Sequence, residues 1–281
     1  MIAPEIHYPT TGLSDAFQDA GYTLIRKISS GSRADVFMCH DRQGNTRAIK
    51  IYTRALPDKF GNEMRCKEHY LINHKIPNLV PIHDVSFLDY NGKLLYYTVM
   101  DYLHGRPLSE IIAKGRYSTV FIRKVVTALY KASEGLFAAD IVHRDIKPSN
   151  IIITSSDDVV LIDLDFISKY NTTLLNDSES RDLYAKLRHP HPYKYILSGS
   201  IQSQWRTMTH HCIGIVINDM IARKKKFTLS DLSLYFRWSL KVLKDTGKMY
   251  SGILSKELFA GILAAKIYRR WLQHITVYKY S

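Results

Sequence analysis

Cysteine and long hydrophobic runs are both scarce in this 281-residue sequence. Its three cysteines, Cys39, Cys66 and Cys212, lack metal-ligand spacing, and their odd number argues against the disulfide framework of a secreted domain. The first fifteen residues include acidic and proline positions where a signal peptide needs a basic start and an apolar run. No stretch approaches the roughly 20 apolar residues that would cross a bilayer as a helix. We therefore expect a cytoplasmic protein without a membrane span.

Acidic residues are also in short supply, because 26 aspartates and glutamates face 39 lysines and arginines, and the net charge is +13 with histidine neutral. A basic surface attracts polyphosphates, so nucleic acid is one class of partner to weigh. The basic residues, however, are spread along the chain, with one tight run at residues 223–226, and such a run is usually a solvated face. We expect no nucleic-acid partner, while an acidic partner or an anionic substrate stays open.

The first part of the chain has the pattern of a β-sheet. Between about residues 21 and 99, short apolar or alternating runs are separated by turn signals at residues 43–45 and 91–92. The runs that predict strands are TLIRKI, DVFMCH, RAIKIY, LVPIHDV and LLYYTVM. One helical interruption is predicted over residues 58–74, where side chains recur with helical spacing. We expect this part to be strand-rich with one helix.

The pattern changes after residues 105–107. From there, apolar residues spaced along one helical face predict a helix over residues 118–140. A short strand pair is predicted at residues 150–154 and 159–163, and the remainder from about residue 178 has the pattern of helices and loops. With 46% hydrophobic residues, the chain has enough apolar material for one large core or for two lobes that share a cleft.

The strongest functional signal is the run HRDIKPSN at residues 143–150, followed by LIDLD at residues 161–165. These motifs resemble the catalytic loop and the metal-binding motif of the protein kinase family. The resemblance implies an α+β, bilobal protein-kinase-like fold with a strand-rich N-lobe and a mainly helical, reduced C-lobe. It divides the chain into an N-terminal extension (residues 1–21), the N-lobe (22–100) and the C-lobe (101–281), the two lobes forming one kinase domain.

The resemblance implies a role for each polar residue of these motifs. Asp145 would orient the substrate hydroxyl and accept its proton late, because a carboxylate with a pKa of about 4 cannot deprotonate a free alcohol in advance. Asn150 and Asp163 would hold Mg²⁺, which prefers hard oxygen ligands and keeps water and phosphate oxygens in its shell. Lys147 resembles the lysine that contacts the transferring phosphate in the serine/threonine branch of the family. This lysine is the main reason for preferring that branch over tyrosine kinases.

Upstream, Ala48-Ile49-Lys50 resembles the end of the strand whose lysine pairs with the α and β phosphates of ATP. The resemblance makes Lys50 a catalytic residue that needs an anionic partner to hold its ammonium in the cleft. Glu68 on the predicted helix is our choice for this partner, and Glu63 is the alternative. ATP with two Mg²⁺ ions is the cofactor set that the resemblance implies.

The nucleotide pocket is predicted from two weaker resemblances. Residues 29–36 align with the family's glycine-rich phosphate loop, although they keep only its central glycine and its valine. Residues 97–103 resemble the hinge, whose backbone groups bind the adenine edge. Together with Ala48 and Lys50, the segments supply the candidate nucleotide-binding residues, which are Ile28, Gly31, Val36, Met100, Asp101 and Leu103.

The sequence departs from the family pattern near the metal motif and beyond it. Asp165 stands where the family usually has glycine, which adds a carboxylate near the metals and motivates a sugar, a lipid headgroup or another small molecule as the acceptor. Thr209 or His210 stands where an aspartate usually braces the catalytic loop.

We expect a serine/threonine protein kinase that acts on a protein hydroxyl. A small-molecule kinase and a non-catalytic nucleotide-binding scaffold are the alternatives.

Overall fold

The computed structural model describes residues 10–31, 34–52, 69–72, 74–165, 167–169, 200–225, 230 and 234. Of the helix predicted over residues 58–74, residues 69–72 are helical, and most of the others lie outside the described residues. Within this described part of the chain, no helix combines the length and the apolar character that a membrane span requires.

The N-terminal part forms a five-stranded antiparallel sheet with the order β1-β2-β3-β5-β4. Its strands are β1 (Thr23–Ser30), β2 (Ala34–His40), β3 (Thr46–Tyr52), β4 (Ile82–Tyr90) and β5 (Lys93–Asp101). The turn between β2 and β3 closes because Asp41 accepts hydrogen bonds from the backbone N–H groups of Gln43 and Asn45. The turn between β4 and β5 places Asn91 and Gly92 at positive φ, as a tight hairpin requires. Both turn predictions are confirmed.

One predicted strand is displaced along the chain. The run LVPIHDV covers residues 79–85, but β4 begins only at Ile82. Pro81 has no N–H to donate to a strand ladder, and the residue before it pairs with another part of the molecule. The Val80 N–H donates to the Leu161 carbonyl at 2.9 Å. The segment that precedes β4 therefore connects the sheet to the second half of the chain.

A helix that the sequence analysis did not predict packs on the sheet. This helix, α1 (Thr10–Asp19), lies in the segment assigned to an N-terminal extension. Leu13 and Phe17 are four residues apart, so they share one helical face, and both are buried in a core that includes Ile49 of β3. The Phe17 ring meets the Tyr97 ring edge to face, with the centroids 5.2 Å apart. The segment is therefore part of the sheet's hydrophobic core.

The second half of the chain is mainly helical in its described residues, as predicted. Its helices are α2 (Leu108–Lys114), α3 (Thr119–Ala138) and α4 (Ile201–Arg223). α3 agrees with the helix predicted over residues 118–140, and it begins where the Ser118 hydroxyl accepts a hydrogen bond from the Phe121 N–H. Buried apolar side chains of α3 and α4 belong to one large core.

Short strands complete the second half of the chain. They are β6 (Gly105–Pro107), β8 (Ile151–Thr154) and β9 (Val159–Leu161), which form one sheet, and β7 (Ile141–Val142), which pairs with β10 (Ser168–Lys169). β8 and β9 confirm the predicted strand pair, although β9 ends at Leu161, and Asp163 has a φ of 68° that no strand residue adopts. The α+β kinase-like fold is confirmed, and the domain boundaries stay a prediction.

Candidate active site

The buried side chain of His143 anchors the loop of residues 143–150, which follows β7. His143 Nε2 lies 3.1 Å from the Ile162 carbonyl oxygen, and the Asp145 N–H donates to His143 Nδ1 at 3.3 Å. Burial lowers the pKa of His143 despite the opposing influence of the Asp163 and Asp145 charges. The hydrogen bonds assign the single ring proton to Nε2, which donates to the carbonyl. His143 thereby connects the loop to the residue before Asp163.

Two side chains of the same loop contact Asp145. Asn150 Nδ2 donates to Asp145 Oδ2 at 2.9 Å and to the Asp145 carbonyl at 3.0 Å. Lys147 Nζ lies 2.5 Å from the same Oδ2, and its side chain is 48% exposed where that of Asp145 is 11% exposed. Both contacts use Oδ2, so Oδ1 is left to accept a hydrogen bond from another group.

Asn150 and Asp163 are neighbours because the Ile162 N–H donates to the Asn150 carbonyl at 2.8 Å. The Asn150 Nδ2 is turned towards Asp145, and the amide oxygen accepts one long hydrogen bond of 3.5 Å from the Ser149 hydroxyl, so it can still take a second partner. Among the described residues, no three histidine, cysteine, aspartate or glutamate side chains come together as a metal site. One amide oxygen and one carboxylate fit magnesium, which keeps water and phosphate oxygens in its shell. The donor set therefore suits an ion that arrives with a phosphate ligand.

Lys50 extends from β3 to two carboxylates that follow β9. Its Nζ lies 2.6 Å from Asp163 Oδ1 and 2.5 Å from Asp165 Oδ1. Burial by itself lowers the pKa of Lys50, but the charges of Asp165 and Asp163 more than offset this effect, so the pKa is raised. The predicted partner Glu68 and its alternative Glu63 lie outside the described residues. Within the described ranges, Asp163 and Asp165 are the anions that hold Lys50.

The Asp163 carboxylate is ionised in this environment. Burial acts to raise its pKa, but the charge and hydrogen bond of Lys50, together with the charges of His143 and Lys147, more than offset this effect, and the pKa of Asp163 is lowered. Its side chain is 27% exposed, so a cation can reach it from solvent. Asp163 therefore offers a charged oxygen ligand next to the Asn150 amide.

Asp165, expected to add a carboxylate near the metals, contacts Lys50 and Tyr52. The Tyr52 hydroxyl donates to Asp165 Oδ1 at 2.9 Å, the same oxygen that Lys50 contacts. Sequence reasoning did not single out Tyr52, although a signal was present. Ala48, Lys50 and Tyr52 alternate along β3, so they project from the same face of the sheet.

The candidate nucleotide-binding residues of the sheet lie close to Lys50. The strand register places Val36 of β2 opposite Lys50 and Ala48 opposite Met100 of β5. Ala48 is buried, whereas the apolar Ile28 of β1 is 41% exposed. An exposed apolar side chain at this edge is available to pack against a flat ring. The sheet thus places Val36 and Met100 on the two strands that flank the one carrying Ala48 and Lys50.

Gly31 closes the turn between β1 and β2. Its N–H donates to the Ala34 carbonyl at 2.8 Å, and a Cβ at this position would lie 3.2 Å from that carbonyl oxygen. The backbone of Gly31 approaches that of Ala34 so closely that a residue without a Cβ is favoured at this position. Residues 32 and 33 of the candidate phosphate loop lie outside the described residues.

Contacts that the sequence did not predict organise the hinge. The Asp101 N–H donates to the Pro81 carbonyl at 3.1 Å, so this donor is not available to a ligand. The Asp101 carboxylate lies 2.5 Å from Arg47 Nη1 and 2.6 Å from His83 Nε2. Leu103 is half-buried in the loop after β5. Asp101 and Leu103 were predicted to present backbone groups to the adenine edge, and this stays a prediction; the Asp101 N–H is the one of these groups that Pro81 already engages.

The catalytic loop is braced from α4 by a contact between Arg144 and Trp205. The Arg144 guanidinium lies 5.5 Å from the Trp205 ring centroid, and both residues are buried. Thr209 and His210, one of which was predicted to stand in place of the family's bracing aspartate, are both buried on the same helix. Sequence reasoning missed Trp205, because no local pattern relates it to a loop far earlier in the chain.

The chain belongs to the protein kinase domain family. Residues 22–228, which are more than half of the chain, match the family model described as "Protein kinase domain". The matched range contains the described residues that meet at the cleft, from Ile28 in β1 to Asp165 after β9. The family that the two motifs suggested is therefore confirmed.

Several curated relatives are similar to part of the chain. The protein named "Probable serine/threonine-protein kinase pknA2" of Bifidobacterium longum is 32% identical over 149 residues, which are 50% of this chain and 19% of that protein. "Probable serine/threonine-protein kinase PknB" of the same organism is 32% identical over 163 residues, or 55% and 24%. "Serine/threonine-protein kinase PknA" of Mycobacterium tuberculosis is 29% identical over 153 residues, or 50% and 34%. The matches span about a fifth to a third of these relatives' length.

Proposed function

We propose that this chain is a serine/threonine protein kinase that transfers the γ-phosphoryl group of magnesium-bound ATP to a protein hydroxyl. The observation that carries the proposal is the contact between Lys50 Nζ and Asp163 Oδ1, 2.6 Å long, which joins residues 113 positions apart. It brings the sheet lysine to the motif aspartate beside the loop of Asp145. Membership of the protein kinase domain family and the names of the relatives support the same activity.

Phosphoryl transfer depends mainly on positioning two reactants and offsetting the negative charge of the phosphates. Lys50 would bind the α and β phosphate oxygens, and Lys147 would contact the phosphoryl group in transfer. Asp163 and Asn150 would hold magnesium, which neutralises phosphate charge when it is bound. These residues account for the binding half of the reaction.

Asp145 would orient the acceptor hydroxyl. Asn150 and Lys147 both contact its Oδ2. Oδ1 would therefore accept the hydrogen bond that the substrate hydroxyl donates. The carboxylate then takes the proton as the new O–P bond forms, because an earlier deprotonation of an alcohol is too unfavourable. The side chains of the loop thus fix which carboxylate oxygen meets the substrate.

The serine/threonine assignment rests on Lys147 and on the relatives' names. The small-molecule alternative was motivated by Asp165, and the contacts of that residue with Lys50 and Tyr52 support a different explanation for the extra carboxylate. Asp165 therefore no longer argues for a different acceptor. The cytoplasmic location, expected from the cysteines, stays a prediction.

The test incubates the purified protein with γ-labelled ATP and Mg²⁺, together with protein acceptors and a panel of small hydroxyl compounds. Phosphoserine or phosphothreonine should form with the wild type and be lost in Lys50→Met and Asp145→Asn. Asp157→Asn is the matched control, because that carboxylate is 65% exposed and pairs with Lys124 at 2.6 Å. Label confined to small compounds would establish the alternative acceptor. Nucleotide binding without turnover would establish the scaffold.

A further inference from the structure

Asp165 and Tyr52 have no role in the proposed chemistry so far, yet both lie against Lys50. Resting on that function, we propose that Asp165, held by the Tyr52 hydroxyl, keeps Lys50 directed into the cleft when Asp163 turns to magnesium. Asp165 and Tyr52 are then positioning residues, because they act through Lys50 and touch neither ATP nor the acceptor. The helix glutamate that the sequence suggested for Lys50 lies outside the described residues, and its role stays a prediction.

The two carboxylates that contact Lys50 differ in their exposure to solvent. Lys50 Nζ lies 2.5 Å from Asp165 Oδ1 and 2.6 Å from Asp163 Oδ1. The Asp163 side chain is 27% exposed and that of Asp165 is 10% exposed. A cation that arrives with a nucleotide can therefore reach Asp163, while Asp165 is enclosed by protein. The geometry assigns the metal to Asp163 and the lysine to Asp165.

Tyr52 fixes Asp165 to the strand that carries Lys50. Its hydroxyl donates to Asp165 Oδ1 at 2.9 Å, and its ring centroid lies 5.7 Å from Lys50 Nζ. Tyr52 is 3% exposed and stands two residues after Lys50 on β3, on the same face. The three side chains form a buried cluster that joins β3 to the segment after β9.

The cluster meets a charge requirement that metal binding creates. Lys50 is 9% exposed, and a buried ammonium without an anionic neighbour is strongly unfavourable. Lys50 loses one of the two anionic partners that it has among the described residues when Asp163 gives its oxygens to a cation. Asp165 does not turn to the cation, because it accepts a hydrogen bond from the Tyr52 hydroxyl. Lys50 thus keeps a counter-charge and remains directed at the phosphates.

The kinetic test compares Asp165→Asn and Tyr52→Phe with the control Asp157→Asn. Asp165→Asn should lower kcat/KM for ATP about 100-fold, the effect of misplacing a catalytic group by about 1 Å. Tyr52→Phe should lower it about 5-fold, since one hydrogen bond is lost. The Mg²⁺ concentration for half-maximal activity should stay unchanged in both. An increase of that concentration in Asp165→Asn would identify a magnesium ligand and overturn the proposal.

A second readout uses the melting temperature without nucleotide. Asp165→Asn should lower the Tm of the protein that has Lys50, and should raise the Tm or leave it unchanged in the Lys50→Met background, where the aspartate has lost its cation. Tyr52→Phe serves in the same comparison if Asp165→Asn does not fold. Equal losses of Tm in both backgrounds would overturn the pairing.

The two readouts separate failure of this inference from failure of the proposed function. A wild-type protein that binds no magnesium nucleotide would overturn the function and, with it, the role of Asp165 in catalysis. A normal kcat/KM in Asp165→Asn, in a wild type that transfers phosphate, would overturn the inference alone. A loss of kcat/KM in Asp165→Asn at an unchanged Mg²⁺ requirement, together with a loss of Tm that depends on Lys50, would support it.

Discussion

Lys50 Nζ and Asp163 Oδ1 lie 2.6 Å apart, although 113 positions of sequence separate their residues. Lys50 belongs to β3, the central strand of the five-stranded sheet, and Asp163 follows β9 in the second half of the chain. The contact therefore joins the two parts of the molecule at the place of the proposed chemistry. Substitutions there are expected to affect stability and activity together.

Replacing Lys50 by methionine should lower the free energy of unfolding by about 3 kcal/mol, because Asp163 and Asp165 are then left together without a cation. Lys124→Met is the matched control, since its pair with Asp157 is exposed on both sides and contributes less than about 1 kcal/mol. Urea denaturation measures both proteins. An equal decrease in the free energy of unfolding in Lys50→Met and Lys124→Met would contradict a buried, charge-compensating role for Lys50.

Replacing Asn150 by alanine should raise the Mg²⁺ concentration for half-maximal phosphate transfer at least about 10-fold. The change removes the amide oxygen proposed for the metal and the donor that contacts Asp145 Oδ2 at 2.9 Å. Phosphate transfer measured at a series of Mg²⁺ concentrations gives the concentration for half-maximal activity. Asn45→Ala, in the turn between β2 and β3, is the control and should leave the requirement unchanged. An unaltered requirement in Asn150→Ala would remove this residue from the metal site.

His143 should make stability depend on pH. Burial lowers its pKa below the usual value of 6.5, so between the two values the unfolded chain binds a proton that the folded ring does not. The free energy of unfolding therefore rises with pH through this window, by up to about 1.4 kcal/mol per pH unit, and its full value is reached above about pH 6.5.

Urea denaturation between about pH 5 and 7.5 checks this slope. His143→Gln should make the free energy of unfolding depend less on pH, because the titrating group is gone. His104 is exposed, so His104→Gln is the control and should leave the pH dependence unchanged. A slope that survives in His143→Gln would assign the pH dependence to another group.

Replacing Phe17 by alanine should lower the free energy of unfolding by about 3 to 5 kcal/mol, because the ring is fully buried against Tyr97 and leaves a cavity. Gln18→Ala on the exposed face of α1 should change it by less than about 0.5 kcal/mol. Thermal or urea unfolding measures both variants. A small effect of Phe17→Ala would mean that α1 does not contribute to the core.

Local patterns predicted much of the fold. α3 and the strands were predicted from the spacing of apolar residues, which repeats over a short length of chain within each element. The turn at Asn91-Gly92 was predicted from residues that tolerate positive φ. The loop of residues 143–150 was assigned from its resemblance to the family's catalytic loop, and the contacts among Asp145, Lys147 and Asn150 are short-range in the sequence. The start of β4 was misplaced because Pro81 breaks a run that is apolar throughout.

Contacts between distant segments were not predictable in this way. No spacing within the chain relates Trp205 to Arg144, or α1 to the sheet, because those contacts depend on how whole elements pack. Asp165 illustrates the difference most clearly. Its presence beside the metal motif was evident from the order of residues, but its partners Lys50 and Tyr52 became evident only once β3 and β9 were placed together.

The chemical groups proposed for phosphate transfer, and their order along the chain, were assigned from the amino acids alone, because each motif that resembles the family is short and continuous in the sequence. Which carboxylate holds Lys50 depends on burial and on distances across the cleft. These are properties of the packed chain, since the exposure that separates Asp163 from Asp165 exists only after the two halves have come together.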